Sequence, residues 1–296
     1  PRRPAAGRAG AGLRARRIES AAVSILGAIL LVLAADVIAV TVMLLVRRRS
    51  PEGHFRDSQK AAAVFTVIGT AFAVLLAFVF LLAFQSYLKG RDSAGQEAVA
   101  VTTLFSLAQQ IDVPRDRVLE GELVCYARAV IAEWPRMREQ QESEAVVGEV
   151  DALERAFSRV RITSPASDNA HAKWFDAMQE RETGRRGRLV EAAPFVPPLV
   201  WIVLALSGLF VIVFTIFFAD RREERWSQVL LIVSVTTVVV SSIAVVRFLD
   251  SPYDDHPGSI RPAAMESALA GIEQELIFDG ISVPERCDRR GVPRPS

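Results

Sequence analysis

The amino-acid sequence predicts an all-α protein that crosses a membrane four times and carries an extramembrane helical bundle inserted between its second and third spans. Hydrophobic residues make up 51% of the 296 positions, which is more than a soluble domain usually contains. They are concentrated in four long blocks instead of short periodic pieces. Each block is long enough to cross a hydrocarbon core of ~30 Å. Each should be a helix, because a backbone amide in lipid must pair within its own segment.

The four blocks divide the chain into seven segments. The first block follows Arg14, Arg16 and Arg17, a pattern that also opens signal peptides, but its apolar run is too long for one and ends at a second arginine cluster. We therefore interpret this block as an uncleaved helix. The predicted segments are a basic N-terminal tail (1–20), transmembrane helix 1 (21–46), transmembrane helix 2 (61–87), the extramembrane helical domain (88–194), transmembrane helix 3 (195–219), transmembrane helix 4 (228–249) and a C-terminal tail with a short helix (250–296).

Four helical stretches are predicted between the second and third spans. The first continues the second span outward, since no proline interrupts the chain between Ala61 and Val113. The second and third carry apolar stripes at helical spacing, from Leu119 to Trp134 and from Val146 to Val160. The fourth, from Ser167 to Leu189, is mostly charged. We expect these stretches to pack together without a ligand, and the last ten or so residues of the chain to be disordered.

The distribution of basic residues predicts an orientation in the membrane. An even number of spans places both termini and the large insert on one side, and the two short connectors, 47–60 and 220–228, on the other. The connectors hold eight Lys and Arg in 23 residues, so the positive-inside bias predicts cytoplasmic connectors and an extracytoplasmic insert. The arginines of the N-terminal tail favour the opposite orientation.

No motif in the sequence indicates an enzyme, a cofactor or a metal site. The chain has no phosphate-binding glycine loop and no HExxH or nucleophile-elbow motif. Its three histidines are far apart, and its two cysteines, Cys125 and Cys287, form no CxxC pattern, so neither a zinc site nor a disulfide is expected. The net charge of +1 argues against a nucleic-acid partner.

Asp36 is the most informative polar residue, because it lies near the middle of the first span. A charge at that depth costs several kcal/mol unless it is paired, protonated or hydrated. Counting depth along the other spans places several hydroxyl side chains at a similar level, and these candidates for a polar layer with Asp36 are Thr70, Thr236, Thr237 and Ser241, with Ser234 and Ser242 nearby. Such a layer either lines an ion path or joins packed helices by hydrogen bonds.

A second polar group follows the fourth span. Asp250, Asp254 and Asp255 offer carboxylate oxygens that suit a cation at the membrane edge. The alternative is a solvated turn without a ligand.

Four stretches of the sequence resemble a bacterial and plant family of unknown function labelled bestrophin-like. The order and spacing of the stretches carry the resemblance, which covers roughly residues 25–275, and they are His54–Phe80 with Asp57, Phe65, Ile68 and Gly69, the segment Gln96–Ala100, the segment Pro197–Trp201 and the segment Leu249–Tyr253. Asp254 and Asp255 depart from the family pattern, which has a glycine after this last segment. The resemblance implies a distant relationship to anion channels that assemble as oligomers, and a large cytosolic domain, contrary to the charge distribution.

From these observations we expect an oligomeric ion-conducting membrane protein in which transmembrane helices 2 and 4 line the path. Its partners would be membrane lipid, further copies of the chain and an inorganic ion. An ionised Asp36 in the path would attract cations, in conflict with the anion relationship. The alternative is a non-conducting scaffold or signalling protein whose extramembrane domain binds a partner.

Overall fold

The computed structural model describes residues 6–49, 58–111, 117–139, 141–162, 164–218, 224–256, 258–282 and 286–292, with side chains from Ile25 onward in the first segment and from Gln59 in the second. These residues form eight α-helices and one 3₁₀ segment, Trp134–Glu139. The α-helices are α1 (Ala6–Arg49), α2 (Ser58–Ile111), α3 (Val118–Glu133), α4 (Glu144–Phe157), α5 (Pro165–Val190), α6 (Pro198–Phe217), α7 (Arg225–Asp250) and α8 (Ala263–Phe278).

The predicted fold class is confirmed. Within the described residues, four helices are long and apolar enough to cross a membrane, and they comprise Ile25–Arg49, Gln59–Ile111, Pro198–Phe217 and Arg225–Asp250. The predicted continuation of the second span outward is also confirmed, since α2 is a single helix of 54 residues. The structure extends α1 back to Ala6 through the predicted basic tail, whose alanines and arginines favour helix.

Parts of the predicted connectors and tails lie outside the described residues. These parts are residues 1–5, 50–57, 220–223, 257, 283–285 and 293–296. They include His54 and Asp57 of the family resemblance.

The described helices form two compact units, and the boundary along α2 falls after Gln85. In the first unit, which holds the apolar spans, α7 packs against both α1 and α6, and α1 also contacts α6. Met43 of α1 is fully buried with Ile216 and Ile232. In a separate apolar cluster of this unit, Phe72 of α2 packs against Leu204 and Val211 of α6 and Val239 of α7.

The second unit contains the extramembrane core. The outer part of α2 packs there with α3, α4, α5 and α8, and α3 is buried along most of its length. The largest wholly buried aromatic side chains of this core are Phe105, Tyr126 and Trp174. The apolar stripes predicted for α3 and α4 face this core, as Leu119, Leu123, Val146 and Leu153 show.

The C-terminal segment differs from the prediction. Cys125 in α3 and Cys287 form a disulfide with Cα atoms 5.7 Å apart, so the expectation of no disulfide is wrong. The expected disorder of the last ten residues is wrong for 286–292, since Cys287 is buried and Gly291 packs against Ala129. The two cysteines are 162 residues apart in sequence, and the fold that joins them is not visible in their spacing.

Two glycines allow α5 to approach α2 closely. A Cβ at Gly184 would stand 2.5 Å from the backbone nitrogen of Glu97, and one at Gly187 would meet the side chain of Ser93. At Gly184 the neighbour is backbone, which cannot move aside as a flexible side chain can. This contact sets the distance between α5 and α2.

Gly184→Ala is therefore expected to destabilise the extramembrane unit by about 1–3 kcal/mol, because the added methyl group would push α5 away from α2. The midpoint of denaturant unfolding of the purified protein, followed by tryptophan fluorescence, measures the effect. Gly148→Ala in α4 is the matched control, since its methyl group meets nothing within 4 Å and alanine favours helix by about 1 kcal/mol. Equal midpoints for the two variants would contradict the close approach.

Candidate functional site

Asp36 contacts one of the hydroxyl groups that were named with it as candidates for a polar layer. The side chain of Thr237 in α7 donates a hydrogen bond of 3.0 Å to Oδ2 of Asp36 in α1, and Asp36 is only 8% exposed. The other carboxyl oxygen, Oδ1, and the hydroxyl of buried Thr236 have no hydrogen-bond partner among the described residues. Asp36 and Thr237 therefore join α1 to α7 inside the bundle of one chain.

The remaining candidates are not brought to this contact. Thr70 is exposed on α2, where it lines an open groove with Thr66 and Phe78. Ser241 and Ser234 donate hydrogen bonds to carbonyl oxygens of their own helix, those of Val238 and Leu230. Hydroxyl groups at similar depth thus lie on different helix faces, which counting along the spans does not resolve.

The three carboxylates at the end of α7 do not form a metal site. Oδ1 of buried Asp250 accepts a hydrogen bond of 2.8 Å from the backbone N–H of Val196, so it closes the turn into α6. Asp254 is half-buried and Asp255 is exposed. Among the described residues, no three His, Cys, Asp or Glu side chains are grouped so that they could hold a metal ion.

A buried charge network lies in the extramembrane unit and was missed by the sequence reasoning. We define it by two carboxylates, three guanidinium groups and a phenol, which belong to Glu97 of α2, Tyr126 and Glu133 of α3, and Arg181, Arg185 and Arg188 of α5. Each of the six residues is at most 7% exposed. Charged groups are rarely buried to this degree unless they are paired and hydrogen bonded.

Glu133 binds two arginines at once. Arg185 donates to both of its carboxyl oxygens, at 2.9 and 3.0 Å, and Arg188 adds a third bond of 3.1 Å. The backbone N–H of Ser143 donates a fourth bond of 2.8 Å from the start of α4. Burial alone would raise the pKa of Glu133, but the bonds and charges of Arg185 and Arg188 outweigh it and hold that pKa below the ordinary value.

Arg188 is the centre of the network and is wholly buried. Its Nε donates to Oε2 of Glu97 at 2.7 Å and its Nη2 to Oε1 at 3.3 Å, a two-point contact between guanidinium and carboxylate. The guanidinium also lies 4.9 Å from the ring centre of Trp134. Burial opposes the charge of Arg188, but Glu97 and Glu133 raise its pKa above the ordinary value, so it stays ionised.

Tyr126 links Glu97 to the third arginine. Its hydroxyl donates to Oε1 of Glu97 at 2.7 Å and accepts from Nη1 of Arg181 at 3.1 Å. Burial, and next the charge of Glu97, raise the pKa of Tyr126 well above its ordinary value, so the phenol stays neutral. The network therefore carries three positive and two negative charges.

The spacing of the arginines offers a signal that sequence reasoning did not use. The buried face of α5 runs through Ala170, Trp174 and Ala177 and continues at the same helical spacing through Arg181, Gly184 and Arg188. Arginines that continue an apolar stripe point toward the core, where they require carboxylate partners. The prediction treated α5 as mostly charged and therefore missed this face.

A buried pair of glutamates, outside the charge network, lies between α3 and α4. Glu149 is 2% exposed and Glu122 is 5% exposed, and Arg286 of the C-terminal segment lies 3.3 Å from Glu122. Burial, followed by the charge of Glu122 and a hydrogen bond with it, raises the pKa of Glu149 to about 7. Glu149 therefore titrates near neutral pH.

Comparison with known proteins gives one family and one fold. The family model described as Bestrophin-like domain matches residues 17–264. A crystal structure of a bacterial bestrophin homologue from Klebsiella pneumoniae, carrying a point mutation, matches 88% of this chain and 98% of its own at 16% identity and a TM-score of 0.58. A second mutant matches 86% and 99%, also at 16% identity, with a TM-score of 0.59. A search among curated proteins finds no match.

Because the pKa of Glu149 is raised on folding, the unfolded chain loses this proton before the folded protein does. The contribution of Glu149 to the free energy of unfolding is then greatest below pH ~4.5 and falls until about pH 7. Glu149→Gln is expected to remove this fall and to make the protein ~1–3 kcal/mol more stable than the wild type at pH 8, with little difference near pH 4.5. Denaturant unfolding across this pH range measures the difference.

The control for this titration is Glu180→Gln, which changes an exposed carboxyl group of α5. It should leave the dependence of stability on pH as it is in the wild type. If Glu149→Gln also left that dependence unchanged, Glu149 would not titrate between pH 4.5 and 7 in the folded protein.

Proposed function

The chain belongs to the bestrophin-like family, and from this premise we propose that it is an oligomeric membrane protein that conducts an inorganic ion along a path lined by α2. The long apolar helices and the fold shared with bacterial bestrophin homologues support this function. The single observation that carries the choice of α2 is that the exposed face of its span bears the hydroxyl groups of Thr66 and Thr70 beside Phe78.

That face is open to its surroundings and is not an enclosed cavity. All of its lining residues belong to α2, among them Thr66, Thr70, Val74 and Phe78. One chain therefore does not enclose it, and a neighbouring copy or lipid must cover it in a membrane. Copies arranged around an axis would face these α2 surfaces toward each other, with hydroxyl groups beside an apolar constriction of the kind that gates ion passage.

The second helix expected in the path, α7, fits this role less well. It packs against both α1 and α6, and Thr236 is 1% exposed. We propose instead that Asp36, Thr236 and Thr237 hold α1 against α7. In this role the carboxyl of Asp36 acts on helix packing and does not select the ion.

We further propose that the extramembrane unit lies outside the cytoplasm. The disulfide between Cys125 and Cys287 supports this side, because disulfides persist in oxidising compartments and are rare in the cytosol. The basic residues of the two short connectors support the same orientation. The resemblance to bestrophins favours the opposite side, and the proposal rests on the disulfide and the charges.

Ion conduction is tested by reconstituting the purified protein in liposomes and measuring chloride, potassium and proton flux. The wild type is expected to carry at least one of these ions. Phe78→Ala on the α2 groove should raise the flux several-fold by widening the apolar constriction. Phe210→Ala on α6 removes a ring of similar exposure, 53% against 62%, and should leave the flux within about twofold.

Asp36→Asn completes the series and should leave ion selectivity unchanged, since the amide oxygen can still accept the hydrogen bond from Thr237. A change in selectivity would place Asp36 in the path. Equal effects of the two phenylalanine variants would contradict the α2 path. A wild type that carries none of the three ions would favour the non-conducting scaffold.

The orientation predicts which introduced thiols react with a membrane-impermeant maleimide in spheroplasts. Val147 in α4 is 45% exposed, so the thiol of Val147→Cys is expected to react. Glu224→Cys, exposed in the connector before α7, should react only after the membrane is opened. Gel mobility under non-reducing conditions should also show Cys125 and Cys287 oxidised. The reverse labelling pattern, with reduced native cysteines, would place the domain in the cytosol.

A further inference from the structure

We propose that a cleft beside Arg181 in the extramembrane unit binds a small oxyanion, a sulfate, phosphate or carboxylate group, through the guanidinium of that residue. This site is separate from the proposed ion path. It belongs to α5 and α4, whereas the path is assigned to the span region of α2.

The first argument is the charge of the buried network. Its two carboxylates, Glu97 and Glu133, are both bound by Arg185 or Arg188. Arg181 is 4% exposed, and its bond to a protein side chain is to the neutral hydroxyl of Tyr126. A guanidinium removed from water to this degree is costly without a negative partner, so the network as built attracts one further anion.

The second argument is the geometry of Arg181. Its Nη1 donates to Tyr126, and its guanidinium lies 5.1 Å from the ring centre of that residue. No hydrogen-bond acceptor among the described residues meets its buried Nε. The same Nε and Nη2 edge of Arg188 binds the carboxylate of Glu97. The Nε of Arg188 is therefore bound to a carboxylate, whereas the Nε of Arg181 has no acceptor among the described residues.

The third argument is the cleft onto which Arg181 opens. It has a volume of about 540 Å³, and the eight residues of α4 and α5 that line it are Glu154, Phe175, Met178, Gln179, Arg181, Glu182, Thr183 and Arg186. Gln179 and Thr183 add neutral hydrogen-bond donors beside the guanidinium. Glu182 is paired with Arg186, so its charge is already balanced on the exposed face.

These features favour a planar or tetrahedral oxyanion over a halide. A guanidinium edge presents two parallel N–H groups, which match two oxygens of one carboxylate, sulfate or phosphate group. Glu154 also lines the cleft, and its carboxylate opposes any anion there, so only weak, millimolar binding is expected.

Equilibrium dialysis of the full chain in a non-ionic detergent, with radiolabelled sulfate as the probe and chloride as the background ion, tests the site. The wild type is expected to bind one sulfate per chain with a Kd on the order of 1 mM, and acetate should compete at a similar concentration. Arg181→Lys should weaken binding about tenfold or more, since an ammonium group lacks the paired donors. Arg155→Lys changes an exposed arginine of α4 that does not line the cleft, and it should bind within about twofold of the wild type.

Two outcomes would overturn the site: no saturable sulfate binding by the wild type, or unchanged binding by Arg181→Lys. If Arg181→Lys does not fold, Gln179→Ala takes its place, because this exposed side chain lies in the cleft and is expected to weaken binding several-fold. Unchanged binding by Gln179→Ala would then also contradict the site. A wild-type melting temperature that rises with sulfate, but not with sodium chloride at equal ionic strength, gives an independent readout.

Discussion

The extramembrane unit depends on neutralising the guanidinium of Arg188, which has no contact with solvent. Its two carboxylate partners come from α2 and α3, so the ion pairs require three helices to meet at one point. Removing one partner from such a group typically costs 3–5 kcal/mol. The glycines of α5 are part of the same arrangement, since the backbone of Glu97 lies against Gly184. Close helix approach and charge pairing are therefore one requirement in this unit.

The spans could be predicted from the sequence because their cause is local. A run of apolar residues long enough to cross lipid leaves no alternative to a helix, and α2, α6 and α7 follow from such runs. The stripes of α3 and α4 are equally local. What holds the helices together is not local. Glu97 and Arg188 are 91 residues apart, and Cys125 and Cys287 are 162 apart. Composition and periodicity carry no information about such pairs.

The polar layer shows the same limit inside the spans. Depth along a helix follows from counting residues, and Asp36 accepts a hydrogen bond from Thr237 of the last span. The direction in which a side chain points depends on how each helix is rotated in the bundle. Thr70 has a similar depth but is exposed on α2. Counting residues therefore gives the depth of a side chain along its helix, but it does not show which side chains meet at that depth.

The position of Arg181, whose positive charge has no carboxylate partner in the network, separates the proposed oxyanion site from the proposed ion path. Arg185 and Arg188 neutralise carboxylates within the core, and Arg181, one turn earlier on the same face of α5, has a neutral phenol as its partner. If this residue served only packing, an apolar side chain would fill its place without the cost of burying a charge. A charged group retained at the edge of a cleft is better explained by a ligand that completes its coordination. That ligand would be anionic whichever ion crosses the membrane, so the oxyanion site and the conducting path stand on separate observations.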